Sequence, residues 1–424
     1  MRRLAIVTSV DRRSAIARAT IEMATHLAEL ADVIIFAEPT TQPLPCPLPL
    51  RTINDDLIGR QDHSIVVLGD SPFHVQGFWI ARRRPSIVIL HDVVMAHLAS
   101  AAMSLDDLSA DVVRFYGAER GAAVMDNAAT LKPFWDGPNA LDAPLFESVT
   151  QAATGVVVHS EFAAQRVRQR VAAPVTVLPL AYSAPWSLSN SVSDRAPERM
   201  LLTLGYANPN KSHELVIEAL AEMGDSTVRY VVAGSVADDR ARHLSRLADA
   251  LGVAEQVEIL GHVGTAEAAE LLGRAAVCVN LRAPALEGGS ASLVEQMAAG
   301  KPVVVFDHGC YADPPDDTLV KMPISTTPVS LAATLRGLLD DPGRCWELGE
   351  RARAHVRTQH SFGHYAAGLS AFFDEVESAA PIGRLIRRVA ATSQTWHMGH
   401  ETSLARRWAH MITTMTAEPT RSLD

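Results

Sequence analysis

The chain has few cysteines, and the four present, Cys46, Cys278, Cys310 and Cys345, share no Cys-x-x-Cys spacing and no histidine cluster. Neither a zinc site nor a disulfide framework is suggested, and a reducing, cytoplasmic setting is expected. It also lacks an apolar run of about 18 residues, the length a membrane-crossing helix needs. The first apolar stretch, Leu4 to Val10, is cut short by Asp11-Arg12-Arg13 and reads as a strand, not a signal peptide. Positive charge is in deficit, with 38 Lys and Arg against 48 Asp and Glu and a net charge of −10. A nucleic-acid partner is therefore not expected. No Gly-x-Gly-x-x-Gly follows the first strand, which disfavours a dinucleotide-dependent oxidoreductase.

What the chain does have is length and apolar content. Its 424 residues, 48% apolar, exceed one ordinary core, so two domains are expected. Short Val, Ile and Leu runs alternate with helical stretches, the pattern of an α/β protein with parallel strands buried on both faces. In the first half, strands are predicted at Leu4 to Val10, Val33 to Ala37, Ile65 to Leu68, Ile87 to Leu90, Gly155 to Val158 and Thr176 to Pro179. A polar, proline-containing stretch, Ser183 to Pro197, interrupts the rhythm. The alternation resumes at Met200 to Leu204, Tyr230 to Ala233, Val257 to Leu260, Val277 to Leu281, Pro302 to Phe306 and Leu319 to Met322. The expected division is a first domain over 1–182, a linker over 183–197, a second domain over 198–365 and C-terminal helices over 366–424. Part of that last segment is expected to cross back to the first domain, with Pro381 breaking the helix.

Ligands of open parallel sheets collect beyond the carboxyl ends of the strands, so the cleft between two such domains is the expected site. Three motifs fall there. In Ala283 to Pro302, which follows the end of a strand, a glycine-bearing turn leads into a helix predicted from Ala291 to Ala299 with Gly300 as its cap. Its N-terminal amides suit a diphosphate, and Gly288 and Gly289 would allow close approach of a ligand. Glu287 and Glu295, eight positions apart, can each accept from hydroxyls of an extended ligand. In the second motif, Leu202 to Lys211, a strand runs into a turn and a helix near Ser212, and Lys211 would place a positive charge at the cleft. In the third, Gly69 to His74 and Leu90-His91-Asp92 put two histidines at strand ends, where a neighbouring aspartate could fix a ring tautomer.

The segment Glu287 to Val304, with its Glu, seven residues, Glu pattern and its Gly-x-Pro-Val-Val ending, resembles retaining glycosyltransferase family 4 of the GT-B fold. That resemblance implies two Rossmann-like domains facing each other across a cleft, with C-terminal helices. It implies a nucleoside-diphosphate sugar as donor and a hydroxyl acceptor. Glu287 would touch the transferred sugar, Glu295 the ribose, and the stretch Gly289, Ser290 and Ala291 the sugar and phosphates. Lys211 would meet the diphosphate, flanked by Gly205, Tyr206 and Asn210, and His262 would lie by the base. Tyr206 stands where the family usually has an arginine; Arg282 or Arg274 could compensate. In the first domain, His91, His74 and Asp92 would serve the acceptor side. The first loop carries Ser14-Ala15-Ile16-Ala17 in place of the family's glycine pair, which makes Ser14 an acceptor-side candidate.

No Asp-x-Asp occurs, and Lys211 with the helix dipole can meet the leaving charge, so neither a metal nor a cofactor is expected. Two alternatives share this architecture, a nucleotide-sugar epimerase and a non-catalytic carbohydrate-binding or scaffold protein. The last 44 residues hold six arginines against three acids, and a basic face with Arg384, Arg387, Arg388, Arg406, Arg407 and Trp408 would suit peripheral contact with an anionic membrane.

Overall fold

The computed structural model describes residues 1–123, 138–182 and 197–395. Two all-parallel sheets organise them. The first holds seven strands in the order β3-β2-β1-β4-β5-β6-β7. They are β1 (Arg3–Val7), β2 (Asp32–Ala37), β3 (Leu50–Thr52), β4 (His63–Leu68), β5 (Ser86–Leu90), β6 (Ala153–Val158) and β7 (Val175–Val177). The second holds six, in the order β10-β9-β8-β11-β12-β13. They are β8 (Glu198–Leu204), β9 (Arg229–Ala233), β10 (Val257–Gly261), β11 (Ala275–Asn280), β12 (Val303–Phe306) and β13 (Val320–Met322).

The apolar runs behave as parallel strands do when covered on both faces: every residue of β5 and of β12 is buried. Each sheet carries a separate apolar cluster on each face. One strand is absent from the sequence reading. β3 is a short edge strand with all three residues exposed, following Pro45, Pro47 and Pro49, so it has neither apolar alternation nor length to announce it.

In both sheets the strand order reverses beside the first strand, between β1 and β4 and between β8 and β11. These reversals are where adjacent connections leave in opposite directions and open a crevice.

The helix Phe362–Thr395 packs back on the first domain. Phe373 stacks on His63 at 4.9 Å, and Arg2 ion-pairs with Asp374 and Glu377. Phe372 and Val376 fill the space where Gly155 has no side chain. The expectation that Pro381 breaks this helix is not met, since it runs through that position. A lone interior proline costs about 3 kcal/mol, and the preceding turns are anchored by the buried Leu369, Phe372, Phe373 and Val376. Arg406, Arg407 and Trp408 lie outside the described residues, as do the side chains of Arg384, Arg387 and Arg388. Among the described residues no helix is long and apolar enough to cross a membrane.

Candidate functional site

The helix Ala291–Ala298 begins at the face of the second domain that meets the first. Ser290 caps it, its Oγ accepting from the Leu293 amide at 3.3 Å, and Gly300 closes it with a φ of +69°. Gly288 donates its amide to the His91 carbonyl at 3.2 Å, and Glu287 and Asp92 face each other as an isolated antiparallel bridge. The loop before the helix therefore touches the carboxyl end of β5 directly. A Cβ on Gly288 would lie 2.8 Å from the His91 oxygen, and one on Gly289 would lie 3.0 Å from His159 Cβ. The two glycines admit the first domain's backbone and His159 at close range.

Glu287 is held from three sides. Its Oε2 accepts from the Leu286 amide at 2.8 Å, while Oε1 accepts from the Tyr311 hydroxyl at 2.9 Å and lies 2.7 Å from Arg282 Nη1. Arg282 is thus the cation that joins the site, whereas Arg274 pairs with Glu198 at the opposite, amino end of β8. Glu295 is half-buried, one turn from the end of its helix; burial raises its pKa to about 7, and a hydrogen bond from Tyr182 pulls the other way. Tyr182 comes from the far side of the cleft, its amide donating to the His360 carbonyl at 2.8 Å.

Lys211 ends a short turn, Pro209–Lys211, after which Ser212 takes a left-handed φ of 52° and the helix His213–Met223 starts. The lysine is buried, 3% exposed, and its Nζ donates to the Leu204 carbonyl. Burial, with Arg282 adding repulsion, lowers its pKa to about 7, and Glu287 opposes this. Asn210 ties this turn to the Glu287 loop: its Nδ2 donates to the Pro284 carbonyl at 3.2 Å, and its own carbonyl accepts from Ala283 at 2.8 Å. Gly205, φ +87°, and Tyr206, 54% exposed, form the rim at the end of β8, and His262 is exposed after β10.

On the first-domain side, the His91 ring lies 4.5 Å from that of His159, whose Nδ1 donates to the Leu178 carbonyl at 2.9 Å. Burial pushes His91 well below the usual histidine range and His159 to about 4, so both rings are neutral at pH 7. Asp92 does not fix a histidine tautomer as the sequence suggested. Its Oδ2 accepts from the Asp70 amide at 2.8 Å, and burial lifts its pKa to about 7. Asp70 in turn holds His97 Nδ1 at 2.7 Å and the Leu98 amide at 2.8 Å.

A pocket of about 440 Å³ opens at the β1/β4 reversal, with Thr8, Asp11, Arg13, Thr40, Phe73 and His74 among its walls. Arg13 is fixed by two hydrogen bonds to Asp11, both 2.9 Å, and lies over the Phe73 ring at 5.4 Å. His74 is 2% exposed, and burial lowers its pKa to about 4. Ser14 is buried at the start of the helix Ala15–Leu27, beside the pocket's Asp11 and Arg13 without lining it. Among the described residues, no group of three or more His, Cys, Asp or Glu side chains is arranged to hold a metal.

The structure therefore brings together Lys211, Asn210, Glu287, Gly288, His91 and Asp92, and sets Glu295 within hydrogen-bond reach of Tyr182. Among the described residues, no hydrogen bond or ion pair joins His262 or Ser14 to that cluster's side chains, whereas His74 lies near enough to His91 to act on its charge. Tyr182 and Tyr311 are additions that the sequence reading missed, since a lone tyrosine after a strand carries no spacing signal.

Residues 188–355 match the family described as Glycosyl transferases group 1. A D-inositol 3-phosphate glycosyltransferase of Kineococcus radiotolerans is 33% identical over 187 residues, which span 40% of this chain and 42% of that protein. The match thus covers less than half of that relative. A glycosyltransferase structure from Rickettsia africae superposes with a TM-score of 0.61 at 12% identity, covering 89% of this chain and 98% of that one. HepE of Anabaena, in complex with UDP and glucose, gives 0.60 at 13% over 88% and 100%. Sucrose-phosphate synthase from Thermosynechococcus elongatus gives 0.58 at 14% over 89% and 100%. Identities this low speak to fold alone. Through residues 188–355 the chain carries a glycosyl transferases group 1 domain, and as a whole it has the GT-B fold of two Rossmann-like domains.

Proposed function

We propose that the chain transfers a sugar from a nucleoside-diphosphate donor to a hydroxyl acceptor, with retention of anomeric configuration and without a metal. The observation that carries this reading is the meeting of Glu287, Gly288 and a helix N-terminus with His91 across the domain interface. The match to the group 1 family supports it, as do two similar proteins, one a D-inositol 3-phosphate glycosyltransferase and one whose structure holds UDP and glucose.

In this reading the diphosphate lies at the start of the helix Ala291–Ala298, beside Lys211, where the dipole and the lysine stabilise the charge that grows on the leaving group. Glu295 accepts from ribose hydroxyls and Glu287 from sugar hydroxyls, each bond to a carboxylate contributing about 1.5 to 3 kcal/mol. The acceptor oxygen attacks the anomeric carbon from the face the diphosphate leaves. The bond from that carbon to the phosphate oxygen breaks, its electron pair stays with the phosphate, and the phosphate takes the acceptor's proton. Neutral His91 orients the acceptor or the sugar, and the 440 Å³ pocket around His74 and Arg13 receives the acceptor body. A cytoplasmic setting is part of the proposal.

The test is turnover with a panel of nucleoside-diphosphate sugars and simple polyol acceptors, with and without a chelator, followed by anomeric analysis of the product. Transfer with retention that survives the chelator supports the whole reading. An epimerised donor with no transfer favours the epimerase, and neither hydrolysis nor transfer favours the non-catalytic alternative.

A further inference from the structure

The second sheet reverses its strand order between β8 and β11, and each of these two neighbouring strands delivers one buried cation to the crevice there. Lys211 follows β8 and Arg282 follows β11. Only 15% of the Arg282 side chain is exposed, and its backbone carbonyl is pinned by His308 Nε2 at 2.5 Å. Its Nη1 meets Glu287 Oε1 at 2.7 Å, yet its Nε is enclosed with no hydrogen-bond partner among the described residues. Arg282 thus ion-pairs with a Glu287 carboxylate that also serves Tyr311 and the Leu286 amide, while the neighbouring Lys211 Nζ donates to the Leu204 carbonyl. A buried guanidinium with an unused N–H, next to a buried ammonium and a helix N-terminus, is matched by an anion carrying several oxygens.

We propose that Arg282 is a second cation for the donor's diphosphate: Glu287 holds it in place, and it turns an N–H to a phosphate oxygen when the nucleotide binds. This rests on the nucleoside-diphosphate reading above. It also gives Glu287 two linked tasks. As Arg282 shares its charge with the phosphates, the Oε1 that now faces Arg282 becomes available to sugar hydroxyls, so phosphate and sugar recognition are coupled through one ion pair. Tyr206, uncharged and 54% exposed on the rim of β8, does not supply that charge.

The test compares a nucleoside diphosphate with its monophosphate by calorimetric titration. The proteins are wild type, Arg282→Gln, Arg282→Lys and the double variant Arg282→Gln with Tyr206→Arg, with Arg274→Gln as control. In wild type the diphosphate is expected to bind more tightly than the monophosphate. Arg282→Gln is expected to cut that preference about tenfold, Arg282→Lys to retain most of it, and the Tyr206→Arg rescue to restore at least half of the logarithm lost. Arg274→Gln should leave it unchanged. Removing one member of a buried pair can unfold a protein, so the Lys variant, which keeps the charge against Glu287, is the one that must fold. If Arg282→Gln is soluble and keeps the diphosphate preference, the proposal is overturned. If it does not fold, the paired variant Arg282→Gln with Glu287→Gln, which leaves no buried charge uncompensated, takes its place, and a retained diphosphate preference there overturns the proposal. A wild type that binds no nucleoside diphosphate at all overturns the donor reading, and this inference with it.

Discussion

The Gly288 amide donates to the His91 carbonyl at 3.2 Å, main chain to main chain across the two domains. No side chain mediates the contact, so the fit between the donor-side loop and the acceptor-side strand depends on Gly288 having none. A methyl group there would press on the His91 oxygen from 2.8 Å. Gly288→Ala is expected to leave both domain cores intact and the melting temperature within a few degrees of wild type. kcat/KM should fall about a hundredfold, because an ångström of misplacement at a reacting centre costs that much.

Nucleotide affinity should peak near neutral pH. Glu295, raised by burial to about 7, accepts best from ribose hydroxyls when ionised, so binding weakens below that pH. Lys211, lowered by burial to about 7, is a cation only when protonated, so binding weakens above it. Calorimetric titration from pH 5.5 to 8.5 should give a bell. Lys211→Arg should flatten the alkaline limb and Glu295→Gln the acidic one. A profile without limbs would show that neither group is used.

Asp92 should make the native state less stable as pH rises. Its folded pKa, about 7, lies above the ordinary 3.8. The folded form therefore binds the proton more tightly, and the cost of ionising it grows between those two values and is complete above the higher. The full rise is equivalent to about 4 kcal/mol, of which relaxation should leave on the order of 2 kcal/mol. Asp92→Asn keeps an oxygen for the Asp70 amide and removes the charge. Its melting temperature should exceed that of wild type at pH 8, with the gain shrinking towards pH 5.

Tyr182 reaches Glu295 from beyond the first domain's last strand, and its hydroxyl bond counteracts the effect of burial on that carboxylate. Tyr182→Phe should weaken nucleotide binding about fivefold at pH 7, the worth of one neutral-range hydrogen bond. The loss should narrow at pH 8.5, where Glu295 ionises without help. An equal loss at both pH values would mean that Tyr182 acts by packing alone.

Twelve of the strands were legible in the sequence because parallel strands buried on both faces are written as plain Val, Ile and Leu runs. β3 was not, being three exposed residues behind a proline series. The second domain's motifs stood out for a related reason: Lys211 and Glu287 each follow a strand end beside glycines that a turn requires, and Glu295 lies in the helix that comes next. Side-chain pairings were not legible. Nothing in spacing tells that Asp92 bonds the Asp70 amide in place of a histidine, or that Glu287 is shared by Arg282 and Tyr311. Such choices are made by tertiary approach over long sequence separations. The same holds for Pro381, whose local preference is outweighed by packing of the turns before it.

The most direct single measurement is a thermal-shift titration of wild type and Glu295→Ala with UDP, GDP, ADP, CDP and TDP, because a ligand that binds only the folded state raises its melting temperature. A donor site built by Glu295 and Lys211 is expected to give a clear rise with one of these in wild type, and a much smaller one in Glu295→Ala. No rise with any nucleotide, or equal rises in both proteins, would contradict it.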